Sequence, residues 1–397
     1  MLERLQEMGS EAKPGTPDAV TLLLGHADDN VRVRTLRLLT TSKMTNAPIS
    51  LPILRHIEPR IGQWFRTGGP HERGETLSII KRLLIRLRGG SSSLYKTPPS
   101  SPSNLKLLEA QKHFVQTLVN CVTDEISPNA SYQRHIMGLT VLRHLLESRV
   151  DDCDRVPIQQ TVGSGTAGTI TIVSNRAAEN RSNDPDFPFS ICLRQSSYAQ
   201  NLLSLLSDAY EDVRMLSASI LRHLLISGPR TSRSENFSEH LQAAMEILVL
   251  KLDYQATQTN RSDHADGLGR LYALLHLRRG GMYSALGSPA NDGHNVIETL
   301  LSGLEGMLNE ISTFDKPGSQ PLHSLLLGAM HCMTQDGVLK FHGRIIVVCR
   351  QVWNAVSVRL CVDSPEITDE DADDLEELIA GPKDMLSYSW RALRDSR

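Results

Sequence analysis

The sequence predicts an all-α protein built of stacked helical hairpins, and three observations carry that expectation. Only 5% of the 397 residues are aromatic while 40% are hydrophobic, and leucine recurs in clusters such as LRLL, LKLL and LLSLL, so the apolar content is of the helix-packing kind. Thr140 to Leu146 and Ser219 to Leu225 share the run LRHLL at an offset of 79 residues, about two hairpins of roughly 40 residues each. Asp29-Asn-Val-Arg32, followed by Leu38-Leu39, matches Glu211-Asp-Val-Arg214, followed by Ile220-Leu221, with the same step of seven from the valine to the apolar pair.

Together these point to a HEAT/armadillo-like α-solenoid with long disordered insertions. An acid-x-Val-Arg opening suits the second helix of such a hairpin. Its valine packs inward while the acid and the arginine are free to pair with neighbouring repeats, and Val213, Leu216, Ile220 and Leu224 are expected to form the buried stripe. A solenoid also tolerates long insertions between helices, because each repeat touches only its neighbours.

Along the chain, residues 1–88 read as helical repeats. Within them Ile79 to Arg88, IIKRLLIRLR, turns Ile80, Leu83, Leu84 and Leu87 inward on a helix. The densest basic cluster of the chain, Lys81, Arg82, Arg86 and Arg88, is left for the other faces, with Arg82 and Arg86 four apart on an outer edge. Such a cluster is either a solvated face or a contact for RNA phosphate or an acidic partner. Residues 89–104, GGSSSLYKTPPSSPSN, read as a flexible Ser/Pro loop, with Thr97-Pro98 and Ser101-Pro102 as candidate proline-directed phosphorylation sites. Helical repeats follow over 105–153.

Residues 154–188 are polar, rich in Gly, Asn and Ser, and read as a disordered insertion around one β-like run, Thr169 to Val173. Repeats resume over 189–362. Residues 363–382 form an acidic linker: Asp363 to Glu377 holds nine acids and no base, and without them the formal charge would be +6 rather than −3. The helical body is therefore mildly basic, which suits a polyanion partner without demanding one. In residues 383–397, Asp384 is placed to cap a helix whose Leu386, Trp390 and Leu393 share one face. The sequence stops at Arg397, so this segment reads as the start of a helical region that has been cut.

Catalytic signatures are weak throughout. Gly163 to Gly168 spells GxGxxG, but Pro157 and two glutamines precede it and TITIV follows, so no helix N-terminus faces a pyrophosphate. His323, His331, Cys332 and His342 lack the spacing that brings metal ligands together, and the six cysteines contain no CxxC pair. There is no GxSxG, no Cys beside a recognisable His motif and no strand-to-helix turn for a methyl donor. The residues predict no catalytic group, no cofactor and no metal. With no signal peptide and no long apolar run, a reduced cytoplasmic setting without membrane contact is expected, the nucleus remaining open.

Several segments, in order, resemble the THADA (thyroid-adenoma-associated) family of large helical-repeat proteins. The C-terminal Ser387-Tyr-Ser-Trp-Arg-Ala-Leu393 is similar to the helix that opens the family's central region. Gly62-Gln-Trp-Phe65 leading to Glu75 through Arg88, Pro128 to Arg134 with Leu142, Ser262 to Gly267 with Leu271, and Pro321-Leu-His-Ser324 with Leu327 fit further landmarks. The resemblance spans about residues 20 to 397. It implies a non-catalytic scaffold that binds a Rossmann-fold methyltransferase and helps present tRNA for 2′-O-methylation of the anticodon-loop ribose at position 32, with methyl donor and catalytic residues on the partner. The family's later Arg-Arg-Ser-Ala-Gly-type motif is absent from this sequence. Two other functions stand beside that one: a general helical-repeat interaction scaffold with no RNA role, and an autonomous dinucleotide enzyme resting on Gly163 to Gly168. Salt-dependent tRNA binding separates the first from the second, and a bound cofactor would favour the third.

Overall fold

A computed structural model describes residues 19–66, 68–96, 102–150, 189, 191, 193–226, 233–259, 261–280, 296–311, 322–333 and 341–361. Among them the regular elements are helices, and the Ile191 N–H donates to the Val150 carbonyl at 3.2 Å. The fold is all-α, made of stacked helical hairpins as the leucine-rich composition predicts. It divides into two compact units, one holding the described residues up to Asn201 and the first three residues of the helix Arg233–Thr259, the other the described residues from Leu202 to 226 and 236 onward.

The first unit contains α1 (Ala19–Leu24), α2 (Asp29–Thr40), α3 (Leu51–Ile57), a 3-10 turn (Glu58–Arg60), α4 (Ile61–Trp64), α5 (Pro70–Lys96), α6 (Pro102–Glu125) and α7 (Tyr132–Ser148). Helices α2, α5 and α7 lie side by side as one layer, and α1, α3 and α6 as the other, the pattern of successive two-helix repeats. The predicted inward face of α5 is fully buried, with Ile80, Leu83, Leu84 and Leu87 at 0% exposure. Side chains of this size each contribute about 1.5–3 kcal/mol on burial. Trp64 of α4 packs against Phe114 of α6 with ring centroids 6.3 Å apart. The start of α8 (Ser196–Ser204) also packs here, where buried Tyr198 donates to the Val119 carbonyl at 2.5 Å.

The second unit contains the end of α8 with its 3-10 turn (Leu205–Ser207), α9 (Glu211–Ile226), α10 (Arg233–Thr259) from Asn236 onward, α11 (Ser262–Gly280), α12 (Val296–Ile311), α13 (Leu322–Met333) and α14 (His342–Cys361). Here α9, α11 and α13 stack side by side, and α12 packs on both α13 and α14. Close approach fixes one crossing. A Cβ on Gly267 would lie 2.1 Å from the Leu206 carbonyl oxygen, so only glycine fits where α11 meets the 3-10 turn.

The two acid-x-Val-Arg helices, α2 and α9, are built alike. Arg32 donates to the carbonyls of His26 and Ala27 at 2.5 and 2.9 Å, and Arg214 donates to those of Asp208 and Ala209 at 2.7 and 3.1 Å. Each arginine thus ties down the turn five and six residues before it. Val213 is fully buried, as are Ile220, Leu221 and Leu224. The expected stripe differs at one place: Leu216 is half-buried, and Ser217 takes the inward position by donating to the Leu202 carbonyl at 2.6 Å.

The Ser/Pro loop expected over 89–104 is corrected by the structure. Helix α5 continues through Lys96 and α6 begins at Pro102. Gly89 and Gly90 are there because the 45–48 segment crosses the helix: a Cβ on Gly89 would sit 2.7 Å from the Thr45 carbonyl oxygen, and one on Gly90 2.8 Å from the Pro48 Cα. Ser91 is buried and bonded to Gln111 of α6, whose amide donates to the Ile49 carbonyl at 3.4 Å. Polar and glycine residues that read as loop are thus helix-packing residues. Thr97, Ser101, the 154–188 insertion with Gly163 to Gly168, the acidic 363–382 segment and the 383–397 helix lie outside the described residues.

Candidate nucleic-acid interface

The basic surface of the first unit is assembled from α2 and α5. The carboxylate of Asp28 caps α2 by accepting from the Asn30 N–H at 2.9 Å, which fixes where the helix starts and which residues face α5. Asn30, Arg34 and Arg37 then follow at helical spacing on one side. From α5 come His71, Gly74, Glu75, Ser78 and Arg82, again on a single face. Between the two helices lies an open groove of about 670 Å³.

Charge in the groove is unbalanced. Arg37 reaches Glu75 at 3.2 Å, the one carboxylate lining it. Arg34 and Arg82 are exposed and have no hydrogen-bond or ion-pair partner among the described residues. Two of three guanidiniums are therefore available to an outside anion. The backbone is accessible too, since a Cβ on Gly74 would meet nothing within 4 Å.

The four basic residues singled out from the sequence do not share one surface. Arg82 lines the groove. Arg86, expected on an outer edge, is half-buried and donates to the carbonyls of Thr40, Ala47 and Pro48 at 2.9, 3.0 and 3.3 Å. It holds the 40–48 segment against α5, and burial lowers the pKa of its guanidinium. Lys81 faces α7, where its ammonium lies 3.4 Å from Glu147. The hydrogen bond from His144 holds the Glu147 carboxyl below its usual range against the opposing effect of burial, and Lys81 and Arg143 add to it. Arg88 is half-buried, two turns along from Lys81. Sequence reasoning missed Arg34, Arg37 and Gly74. The three-residue spacing of the arginines in VRVRTLRLL is the signal that could have found the first two.

A second charged cluster occupies the stacked layer of the other unit. Asp266 of α11 accepts from Arg214 at 2.7 Å and Arg270 at 2.9 Å, and lies 3.3 Å from the His331 ring. Burial alone would push its carboxyl up, but the bonds to His331, Arg270 and Arg214 hold it well below the usual carboxylate range. Asp266, which lies in the Ser262 to Gly267 segment, thus pins the three stacked helices α9, α11 and α13. His331 and buried Cys332 are neighbours there, and the described residues contain no group of three or more His, Cys, Asp or Glu arranged to hold a metal.

Residues 4–215 match the family described as Trm732, TPR repeats. The chain belongs to that family. Over 95% of its length it is 21% identical to the tRNA (32-2′-O)-methyltransferase regulator trm732 of Schizosaccharomyces pombe, of which it covers 24%. Over 78% it is 22% identical to the tRNA (32-2′-O)-methyltransferase regulator THADA of Mus musculus, covering 15% of that protein, and over 56% it is 23% identical to the Homo sapiens THADA, covering 10%. The chain thus spans a quarter or less of the length of these relatives. No solved structure matches it. The groove between α2 and α5 and the two arginine-anchored repeats all lie within or border on the family-matched stretch.

Proposed function

We propose that this chain is a non-catalytic helical-repeat subunit that supports 2′-O-ribose methylation of the tRNA anticodon loop at position 32 by a partner methyltransferase. Membership of the Trm732 family over residues 4–215 is the observation that carries this reading. The relatives named as regulators of that methyltransferase supply the reaction. On this reading the chain contributes binding surface, the partner contributes the methyl-donor site and the catalytic groups, and the assembly works in the cytoplasm. No described helix is long and apolar enough to cross a membrane.

Of Lys81, Arg82, Arg86 and Arg88, Arg82 is our candidate for a tRNA contact, supported by its position in the groove, whereas Lys81 is engaged with Glu147 and Arg86 with backbone carbonyls. The reading is tested by co-elution. The purified chain, mixed with the tRNA (32-2′-O)-methyltransferase and an unmodified tRNA transcript, should run with both on size exclusion. A chain that elutes separately from the methyltransferase at micromolar concentration would overturn it. Co-elution with the methyltransferase but never with tRNA would instead favour a protein-interaction scaffold with no RNA role.

A further inference from the structure

We propose that the groove between α2 and α5 seats a stretch of RNA phosphodiester backbone, with Arg34 and Arg82 as phosphate contacts on opposite walls and Gly74 as the point of closest approach. This rests on the tRNA-supporting role proposed above and assigns the surface that would carry it. Three features of the groove lead to it.

First, two of its three arginines are uncompensated. Exposed Arg34 and Arg82 have no partner among the described residues, and Glu75 is taken by Arg37. Other basic side chains nearby are used internally: Arg32 ties down the turn before α2, Arg86 holds the 40–48 segment, and Lys81 pairs with Glu147. Guanidinium forks match phosphate oxygens in a bidentate way, and their sequence-independent attraction supplies most of the affinity for nucleic acid.

Second, no close approach inside the fold requires glycine at position 74. It lies within helix α5, and a Cβ there would touch nothing, unlike Gly89 and Gly90 further along the same helix, which are required by a backbone crossing. Glycine in a helix interior is disfavoured, so a ligand that approaches the backbone is a reason for it to be there.

Third, the lining is wrong for a protein. His71, Ser78 and Asn30, whose amide donates to Glu72 at 3.4 Å, accompany the arginines, the apolar side chains are Pro70 and Ile79, the latter 3% exposed, and no Phe, Tyr or Trp is present. Protein interfaces concentrate their affinity in aromatic and apolar anchors seated in pockets. A phosphodiester chain asks only for cations and hydrogen-bond donors, and this groove offers those.

The test uses the full chain and an unmodified tRNA transcript, with binding measured from 50 to 300 mM salt. Arg34→Gln/Arg82→Gln should lower the slope of log affinity against log salt by about 1.4–1.8, as expected for two lost phosphate contacts, and weaken binding roughly tenfold or more at the low-salt end. Gly74→Phe should weaken binding with the slope little changed, because it blocks the groove and removes no charge. Arg55→Gln/Lys106→Gln, equal in charge and placed on exposed positions of α3 and α6, should leave both quantities near wild type. Melting temperatures establish that each variant is folded.

An unaltered slope in the Arg34/Arg82 variant together with full binding by Gly74→Phe would overturn the groove while leaving the proposed function intact, since the wild-type chain would still bind tRNA elsewhere. Failure of the wild type to bind tRNA while it still holds the methyltransferase would overturn the groove and the RNA role together. If the groove variants keep tRNA and lose the methyltransferase, the groove is a protein site and the proposal is wrong.

Discussion

Arg214 of α9 and Asp266 of α11, 52 residues apart in sequence, meet at 2.7 Å with side chains only 6% and 13% exposed. Arg214 also closes the turn before its own helix, so a single side chain sets the repeat opening and docks it on the next repeat. Asp266→Asn would leave the two arginines facing a neutral amide in a poorly hydrated site. Breaking a buried pair in this way costs about 3–5 kcal/mol at neutral pH, read as a lower midpoint in urea unfolding.

The same pair predicts an acid limb. Asp266 has a folded pKa below its unfolded value, which is about 3.9, so its stabilising contribution is complete above about pH 5 and is lost as pH falls through about 4 and below. Stability of the wild type should therefore drop more steeply between pH 5 and 3 than that of Asp266→Asn. Parallel curves for the two proteins would remove Asp266 from the account.

Two glycines in one helix should respond to alanine with opposite signs. Gly74→Ala adds a methyl to open space and should raise stability by about 0.5–1 kcal/mol. Gly90→Ala drives a Cβ to 2.8 Å from the Pro48 Cα and should lower it by about 1–3 kcal/mol despite the better helix propensity. Thermal melts of the two variants against wild type check the pair.

Val213→Asp tests the repeat register. Val213 is fully buried and lies in the same stripe as Ile220 and Leu224, so an unpaired carboxylate there should cost about 3 kcal/mol or more. A variant as stable as wild type would place Val213 at the surface.

The register was legible because a helix repeats its inward face by local rules: the valine, the LRHLL runs and the Ile80, Leu83, Leu84, Leu87 face all lie where spacing puts them. What spacing cannot reveal is which other segment crosses a helix. Gly89 and Gly90 read as loop residues, yet they are the place where the 45–48 backbone passes over α5. Arg86 read as an outer-edge contact residue for the same reason, since the carbonyls it binds are 38 to 46 residues away in sequence. The basic groove was half legible: Arg82 belonged to the cluster seen in α5, while Arg34 and Arg37 come from a different repeat and join it only through packing.

Thiol reactivity should follow burial. Burial pushes the Cys332 thiol up to about 12, and raises those of half-buried Cys121 and Cys349 as well. The thiolate is the reactive form. At pH 8, peptide mapping after brief alkylation of the native protein should find Cys332 protected until denaturant is added, with Cys121 and Cys349 modified sooner.

The central claim, that this chain supports methylation at tRNA position 32 without performing it, is tested most directly in cells of its native source. Ribose-methylation mapping at position 32 would compare tRNA from cells with the gene intact and with it deleted. The 2′-O-methyl group at position 32 should be lost on deletion, other ribose methyl groups of the same tRNAs should persist, and the purified chain alone should transfer no methyl group to the unmethylated tRNA. Unchanged methylation at position 32 in the deleted cells, or methyl transfer by the chain by itself, would contradict it.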